Sequence, residues 1–196
     1  MNPEMRRVVE EAEPAARSGW TDAAVAALAA STRSLRCDAG ELARLLALPP
    51  SDHGFREEVF TTDPVFHASV FALAEGETIP LHDHPELDVI SKVLCGRIRV
   101  RTYEWIDASS LVARACDELI LGPEDEALVL RKSPGTLHTI AAIESTVFLD
   151  LFSPYYDDAL RPCSYYMKVA GLPGCQVAEP AAKDQLRVVS WEEARQ

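Results

Sequence analysis

An all-β domain of barrel or sandwich type behind a short α-helical preface is the fold class that this sequence predicts. Two textures and the punctuation between them carry that prediction. Residues 1–50 read as helix. From about residue 55 the chain turns to short runs rich in Val, Ile, Leu, Phe and Tyr, with a turn signal after nearly every run.

The preface is marked by its caps. Thr21 and Asp22 precede AAVAAL (23–28), and Asp38 precedes ELARLLAL (41–48), each an N-cap residue followed by good helix formers. Pro49-Pro50 closes the region. The predicted strands are 65–74, 89–94, 98–105, 119–121, 127–130, 139–143 and 146–152. Glu75-Gly76, Cys95-Gly96, Gly122-Pro123, Pro134-Gly135 and Ser153-Pro154 separate them. The expected division is residues 1–50 as preface and 51–196 as the β domain.

Composition bounds the function. The 196 residues are 47% hydrophobic and 26% charged, ordinary for a globular protein with a sizeable core. Glu4, Glu10, Glu11 and Glu13 interrupt the first 30 residues and no apolar run there suits a signal peptide, so a cytoplasmic or nuclear protein is expected, with no membrane partner. A net charge of −12 argues against nucleic acid. Arg97, Arg99 and Arg101 share one strand face, expected to be solvated. The five cysteines, Cys37, Cys95, Cys116, Cys163 and Cys175, contain no Cys-x-x-Cys pair and predict neither a disulfide framework nor a zinc ribbon.

Periodicity leaves an immunoglobulin-like sandwich and a double-stranded β-helix both open; the histidines choose. There are five, at positions 53, 67, 82, 84 and 138. His82 and His84 are spaced i, i+2, which on a strand turns both rings to one face as a chelating pair requires. The segment from Gly76 to Gly96 resembles the first cupin motif, with five residues between Gly76 and His82-Asp83-His84. Gly135-Thr136-Leu137-His138 resembles the second. Gly96 and Gly122 lie 26 positions apart, room for two strands. The expected fold is therefore a cupin double-stranded β-helix, a jelly-roll barrel, with His82, His84 and His138 holding a metal. His53 and His67 have no partner at motif spacing and are expected to be surface or core residues.

Many cupins add a carboxylate ligand shortly after the second histidine. Counting back seven residues from Gly96 puts Val89 there, and Val cannot ligate. Asp88 would face the other way unless a bulge re-aims it. Three imidazoles suit Zn, Cu, Fe or Ni. With open adjacent positions, such a centre can place a thiolate beside O₂ on Fe(II).

The chain closely resembles the plant cysteine oxidase and 2-aminoethanethiol (cysteamine) dioxygenase family. The likeness rests on Ile79-Pro-Leu-His-Asp-His-Pro85, Ser91-Lys-Val-Leu94, Val100-Arg-Thr-Tyr-Glu-Trp105, Phe148-Leu-Asp-Leu-Phe-Ser-Pro-Tyr-Tyr156 and Arg161-Pro-Cys-Ser-Tyr-Tyr166. It implies Fe(2+), O₂ and a thiol substrate, either cysteamine or the amino-terminal cysteine of a peptide or protein, oxidised to a sulfinic acid by a monomeric enzyme of the oxygen-sensing type. It also implies that Asp150 hydrogen-bonds the substrate amine or a water, and that Tyr165 offers a hydroxyl at the pocket. The i, i+2 spacing of Cys163 and Tyr165 would allow a thioether crosslink. Free cysteine is disfavoured because no Arg adjoins the motifs at an evidently inward position, Arg56 and Arg161 being the open candidates. Where the family reads His-Asp-His-Pro-Gly-Met, this chain has Glu86 and Leu87, and Glu86 with Asp88 is expected to add negative charge at the mouth. The alternatives are a metal cupin of another class, a small-molecule oxygenase or isomerase, and a non-enzymatic sensory or binding cupin.

Overall fold

The computed structural model describes residues 3–51, 55–132, 136–157, 159–169 and 183–196. His53, Cys175 and the Pro134-Gly135 turn lie outside them. Three helices come first: α1 (Pro3–Arg17), α2 (Asp22–Ser31) and α3 (Ala39–Leu46). Thr21 Oγ1 accepts from Ala24 N at 3.2 Å and Asp38 Oδ1 from Glu41 N at 2.9 Å, so both expected N-caps form.

Among the described residues eleven strands follow: β1 (Arg56–Thr62), β2 (His67–Leu73), β3 (Thr78–Asp83), β4 (Asp88–Cys95), β5 (Ile98–Asp107), β6 (Val112–Leu121), β7 (Leu128–Leu130), β8 (Thr136–Ala142), β9 (Thr146–Ser153), β10 (Tyr165–Lys168) and β11 (Lys183–Val189). A one-turn helix, α4 (Trp191–Ala194), ends the chain. One sheet has the order β1-β2-β9-β4-β7; the other, β10-β11-β6-β5-β8-β3, closes on itself through Tyr165 opposite His82. All pairings are antiparallel. This is the cupin jelly roll, with β5 and β6 as the two strands between Gly96 and Gly122.

The helices explain why the five-stranded sheet reads so apolar. Every residue of β9 is buried. On one face Leu149 and Leu151 join Ala68 and Val70 of β2, Ile90 and Leu94 of β4, Val8 and Ala12 of α1, Leu28 of α2 and Leu45 of α3 in one core. On the other face Phe148 meets Val93 and, across the barrel, Ile79, Ile98, Val100 and Ile140 of the second sheet. A strand covered on both sides cannot alternate apolar with polar. Each such aliphatic side chain contributes roughly 1.5–3 kcal/mol on burial.

Two elements depart from the sequence reading for physical reasons. β1, with the sequence REEVFTT, is a half-exposed edge strand, and its charges hid it while protecting an open edge. β6 begins at Val112 rather than 119, because its weakly β-forming stretch is held by ladders to both β5 and β11. Arg97, Arg99 and Arg101 are exposed as expected. Arg97 faces Glu144 at 3.9 Å, Arg99 faces Glu118 at 3.6 Å, and Arg101 pairs with Glu118.

Gly96 is required twice over. Its φ is +74°, and a Cβ there would lie 2.2 Å from the Ser145 carbonyl oxygen. Gly96→Ala is expected to lower stability by roughly 2–4 kcal/mol in urea denaturation, since backbone must move on both sides of the contact; a loss under about 1 kcal/mol would show that the β4–β5 turn yields freely.

Candidate metal centre

The centre begins with a register shift. Between Ile79 and His82, β3 carries one residue more than β8, whose Ile140 and His138 pair with those two positions. Pro80 occupies this bulge, where the ladder demands no N–H from it. Its freed carbonyl accepts from Nδ1 of His82 at 2.8 Å, leaving Nε2 of that ring as a bare lone pair. His84 follows just beyond the strand end, and His138 stands directly opposite His82 on β8.

Tyr156 fixes the second ring. Its hydroxyl donates to the Asp83 carbonyl at 3.1 Å, and its oxygen lies 2.5 Å from Nδ1 of His84. With that proton committed, His84 Nδ1–H donates to the phenol and Nε2 again faces inward. Nε2 of His138 then lies 3.0 Å from Nε2 of His82 and 3.0 Å from Nε2 of His84. The rings are 6%, 3% and 2% exposed. Burial pushes the His82 pKa down to about 4 against the hydrogen bond to Pro80, and burial joined by repulsion from the neighbouring rings holds His84 and His138 well below the usual range.

Three neutral rings with lone pairs at one point form an arrangement that a cation completes. Two nitrogens each about 2.1 Å from a common metal, at right angles around it, stand about 3.0 Å apart. The donor set thus fits a divalent metal, and among the described residues His82, His84 and His138 are the group able to hold one. Among the described residues no carboxylate joins them. Asp88 is buried but turned away: its Oδ1 accepts from Lys132 N at 2.9 Å and its Oδ2 lies 3.4 Å from Arg131. Val89 packs with Leu87, Leu130 and Phe152.

The rings open onto a cavity of about 490 Å³. Asp150 and Tyr165 both line it, as do Glu57, His67, Tyr156 and Cys163. Asp150 sits in the middle of β9, opposite Ser91 on β4 and Ser69 on β2, rather than capping the turn that follows. Burial pushes its carboxyl up to about 7; a hydrogen bond from Ser91 opposes that shift and the charge of Glu57 adds to it. The Tyr165 ring lies 6.1 Å from that of His82 and 5.1 Å from Trp191 of α4. Burial raises its pKa, and likewise raises the Cys163 thiol to about 12 between the hydroxyls of Tyr156 and Tyr165.

Asp83, the residue between the first two rings, has a structural task. Its carboxylate accepts from Ser164 N at 2.8 Å and from the Tyr166 hydroxyl at 2.7 Å, clamping the Cys-Ser-Tyr-Tyr segment to the histidine motif. The expected charge at the mouth is corrected: neither Glu86 nor Asp88 lines the cavity, whose carboxylates are Glu57 and Asp150. Glu86 instead occupies the third position of a turn in which Leu87 N donates to His84 O at 3.2 Å. Its φ of +59° is the left-handed conformation that glycine adopts freely, so Glu here carries about 1 kcal/mol of backbone strain.

Fold and site together define a cupin with a three-histidine centre suited to a metal ion. The chain belongs to the PCO_ADO family, whose model matches residues 55–195. It is 32% identical over 109 residues to plant cysteine oxidase 2 of Arabidopsis thaliana, covering 52% of this chain and 40% of that one. It is 33% identical over 146 residues to 2-aminoethanethiol dioxygenase of Homo sapiens, covering 61% and 53%. A probable 2-aminoethanethiol dioxygenase of Dictyostelium discoideum is 34% identical over 109 residues, with 52% and 50% covered. The chain therefore spans about half the length of the curated relatives it matches. Among solved structures, KdgF from Halomonas sp. is 26% identical with a TM-score of 0.43, over 55% of this chain and 84% of that one.

Sequence reasoning did not single out Glu57, Tyr156 or Asp83; His67, expected to be a surface or core residue, is buried and lines the cavity. Tyr156 lay within a quoted motif, and its position next to Tyr155 was the available signal. Glu57 gave none, because its strand was not recognised. No helix among the described residues is long and apolar enough to cross a membrane.

Proposed function

We propose that the protein is an Fe(II)-dependent thiol dioxygenase converting the amino-terminal cysteine of a peptide or protein, or cysteamine, to its sulfinic acid. One thiol and one O₂ give one sulfinic acid, with both oxygen atoms on sulfur and no outside reductant. Iron(II) held by His82, His84 and His138 would supply the redox centre for that step. The named activities of the relatives support the reading, and one observation of this site carries it. Beside four imidazoles and two carboxylates, no Lys or Arg lines the cavity among the described residues.

That asymmetry selects the substrate. Asp150 is suited to accept from an ammonium two carbons from the sulfur. Free cysteine would also bring an α-carboxylate, and neither candidate arginine lines the cavity. Arg56 grips Glu77 at 2.7 and 2.9 Å, and Arg161 donates to the Tyr155 carbonyl at 3.2 Å. In an amino-terminal cysteine the carboxylate is an amide, and in cysteamine it is missing. Tyr156 holds the His84 tautomer, Tyr165 offers a hydroxyl at the cavity edge, and Phe71, Ile79, Ile140 and Phe152 keep the wall dry. The same reading takes residues 51–196 as the catalytic unit, the protein as a monomer, and the cytoplasm or nucleus as its location, where thiols stay reduced.

The test is metal analysis with O₂ consumption on three thiols. Iron should copurify, a Cys-initiated peptide and cysteamine should each gain two oxygen atoms, and free cysteine should react at least about tenfold less efficiently, a difference of about 1.4 kcal/mol. Iron-loaded protein that leaves all three thiols unchanged would end the proposal.

A further inference from the structure

Three buried polar atoms along the β2–β9 ladder lack hydrogen-bond partners: Nδ1 of His67, Oγ of Ser69 and Oδ1 of Asp150. The ladder makes them neighbours. Ser69 is directly opposite Asp150, and His67 lies two positions from Ser69, on the same face. They are 2%, 0% and 7% exposed. Leaving a buried polar atom without a partner is costly, so three in one patch mark a wall that is completed by something polar. His67 and Asp150 line the cavity, and Ser69 lies between them, behind the surface.

The hydrogen-bonding roles say what that something is. Nε2 of His67 lies 3.4 Å from the Glu57 carboxylate, which commits the ring proton to Nε2 and leaves Nδ1 as an acceptor. The ring is immobilised by stacking on Tyr155, centroids 3.9 Å apart and planes within 9°. Asp150 Oδ1 is an acceptor when ionised, and the Ser69 hydroxyl can take either role. Two unpartnered acceptors on cavity-lining residues call for a group that only donates, and a primary ammonium has three N–H bonds and no acceptor.

We propose that His67 is a specificity-determining residue whose Nδ1, together with Oδ1 of Asp150, grips the substrate ammonium. Glu57 is a positioning residue that sets the His67 tautomer. The inference rests on the thiol dioxygenase reading for the identity of the substrate, but binding tests it apart from turnover.

Iron-loaded protein is titrated without O₂, by calorimetry, with a Cys-initiated pentapeptide and with the same peptide acetylated at its amino terminus. The native chain should prefer the free amine by at least about tenfold, equivalent to 1.4 kcal/mol. His67→Phe, which keeps the stacking on Tyr155, should erase most of that preference while retaining iron. Glu57→Gln, at a partly exposed edge-strand position, should reduce it about threefold or more through the His67 proton, and decides the matter if His67→Phe does not fold. An unchanged preference in the folded variant, or no preference in the native chain, overturns the cradle. A native chain that prefers the amine yet never oxidises the thiol instead overturns the enzymatic reading and leaves the cradle standing.

Discussion

His138→Ala should leave a folded protein with less than about a tenth of the native metal content and no measurable thiol oxidation. The expectation follows from the position of this ring among the three. Nε2 of His138 is the atom at 3.0 Å from both of the others, so its removal breaks both of these contacts. His82 and His84 would remain as a two-ligand remnant held by the Pro80 carbonyl and by Tyr156. The two buried or half-buried carboxylates of the motif are committed elsewhere, Asp83 to Ser164 and Tyr166 and Asp88 to Lys132 and Arg131. Truncation leaves a void in β8, but Leu137 and Ile140 still anchor the strand in the core, so the variant should unfold cooperatively at a somewhat lower temperature. Metal analysis by mass spectrometry and the three-thiol assay check it. Native metal content in the folded variant would remove His138 from the ligand set.

Asp150→Asn should do two opposite things. Iron should stay and turnover should fall at least about tenfold, or about 1.4 kcal/mol in the barrier, since a neutral amide loses the charge that faces the ammonium. In the metal-free protein the same change should raise stability above pH 7. The sign follows from the direction of the shift. The carboxyl is raised to about 7 in the fold from an ordinary value of 3.8. The folded state therefore keeps a proton that the unfolded state has released, and the contribution is complete below 3.8 and lost as pH rises through about 7. Above that, the native chain bears a buried carboxylate, and Asn does not. Urea denaturation of both metal-free proteins at pH 5 and pH 8 should give a stability difference in favour of Asn that grows with pH. A difference independent of pH would mean that Asp150 is not held uncharged by burial, and near-native turnover would take it out of the chemistry. A residue that weakens the fold where it serves the site is the usual form of a stability–activity compromise.

Much of this was readable one residue at a time. Thr21 and Asp38 announced α2 and α3 because capping is local: a side chain bonds a backbone N–H three residues on. The His82–His84 spacing, the glycines at 76 and 96 and the downstream His138 specified a metal-binding jelly roll, because period-2 geometry turns alternate residues to one face wherever the strand lies. Val89 could be ruled out as a ligand by chemistry alone.

Other features needed the fold. Period 2 sorts residues into two faces without saying what covers either, so only the packing shows that the helices blanket the outer face of the five-stranded sheet and leave the cavity to the inner one. Glu57 and His67 meet because β1 pairs with β2 across a register shift at Val59–Thr61. Asp83 meets Tyr166 across more than 80 positions because β10 closes the second sheet. The amino-acid sequence by itself determined the donor chemistry and the class of barrel, since ligand types and strand alternation are properties of single residues and their nearest neighbours. Tertiary structure alone decided which acids face the cavity and which ring nitrogen is left free, since hydrogen bonds between distant strands are set by register, and register belongs to the assembled sheet.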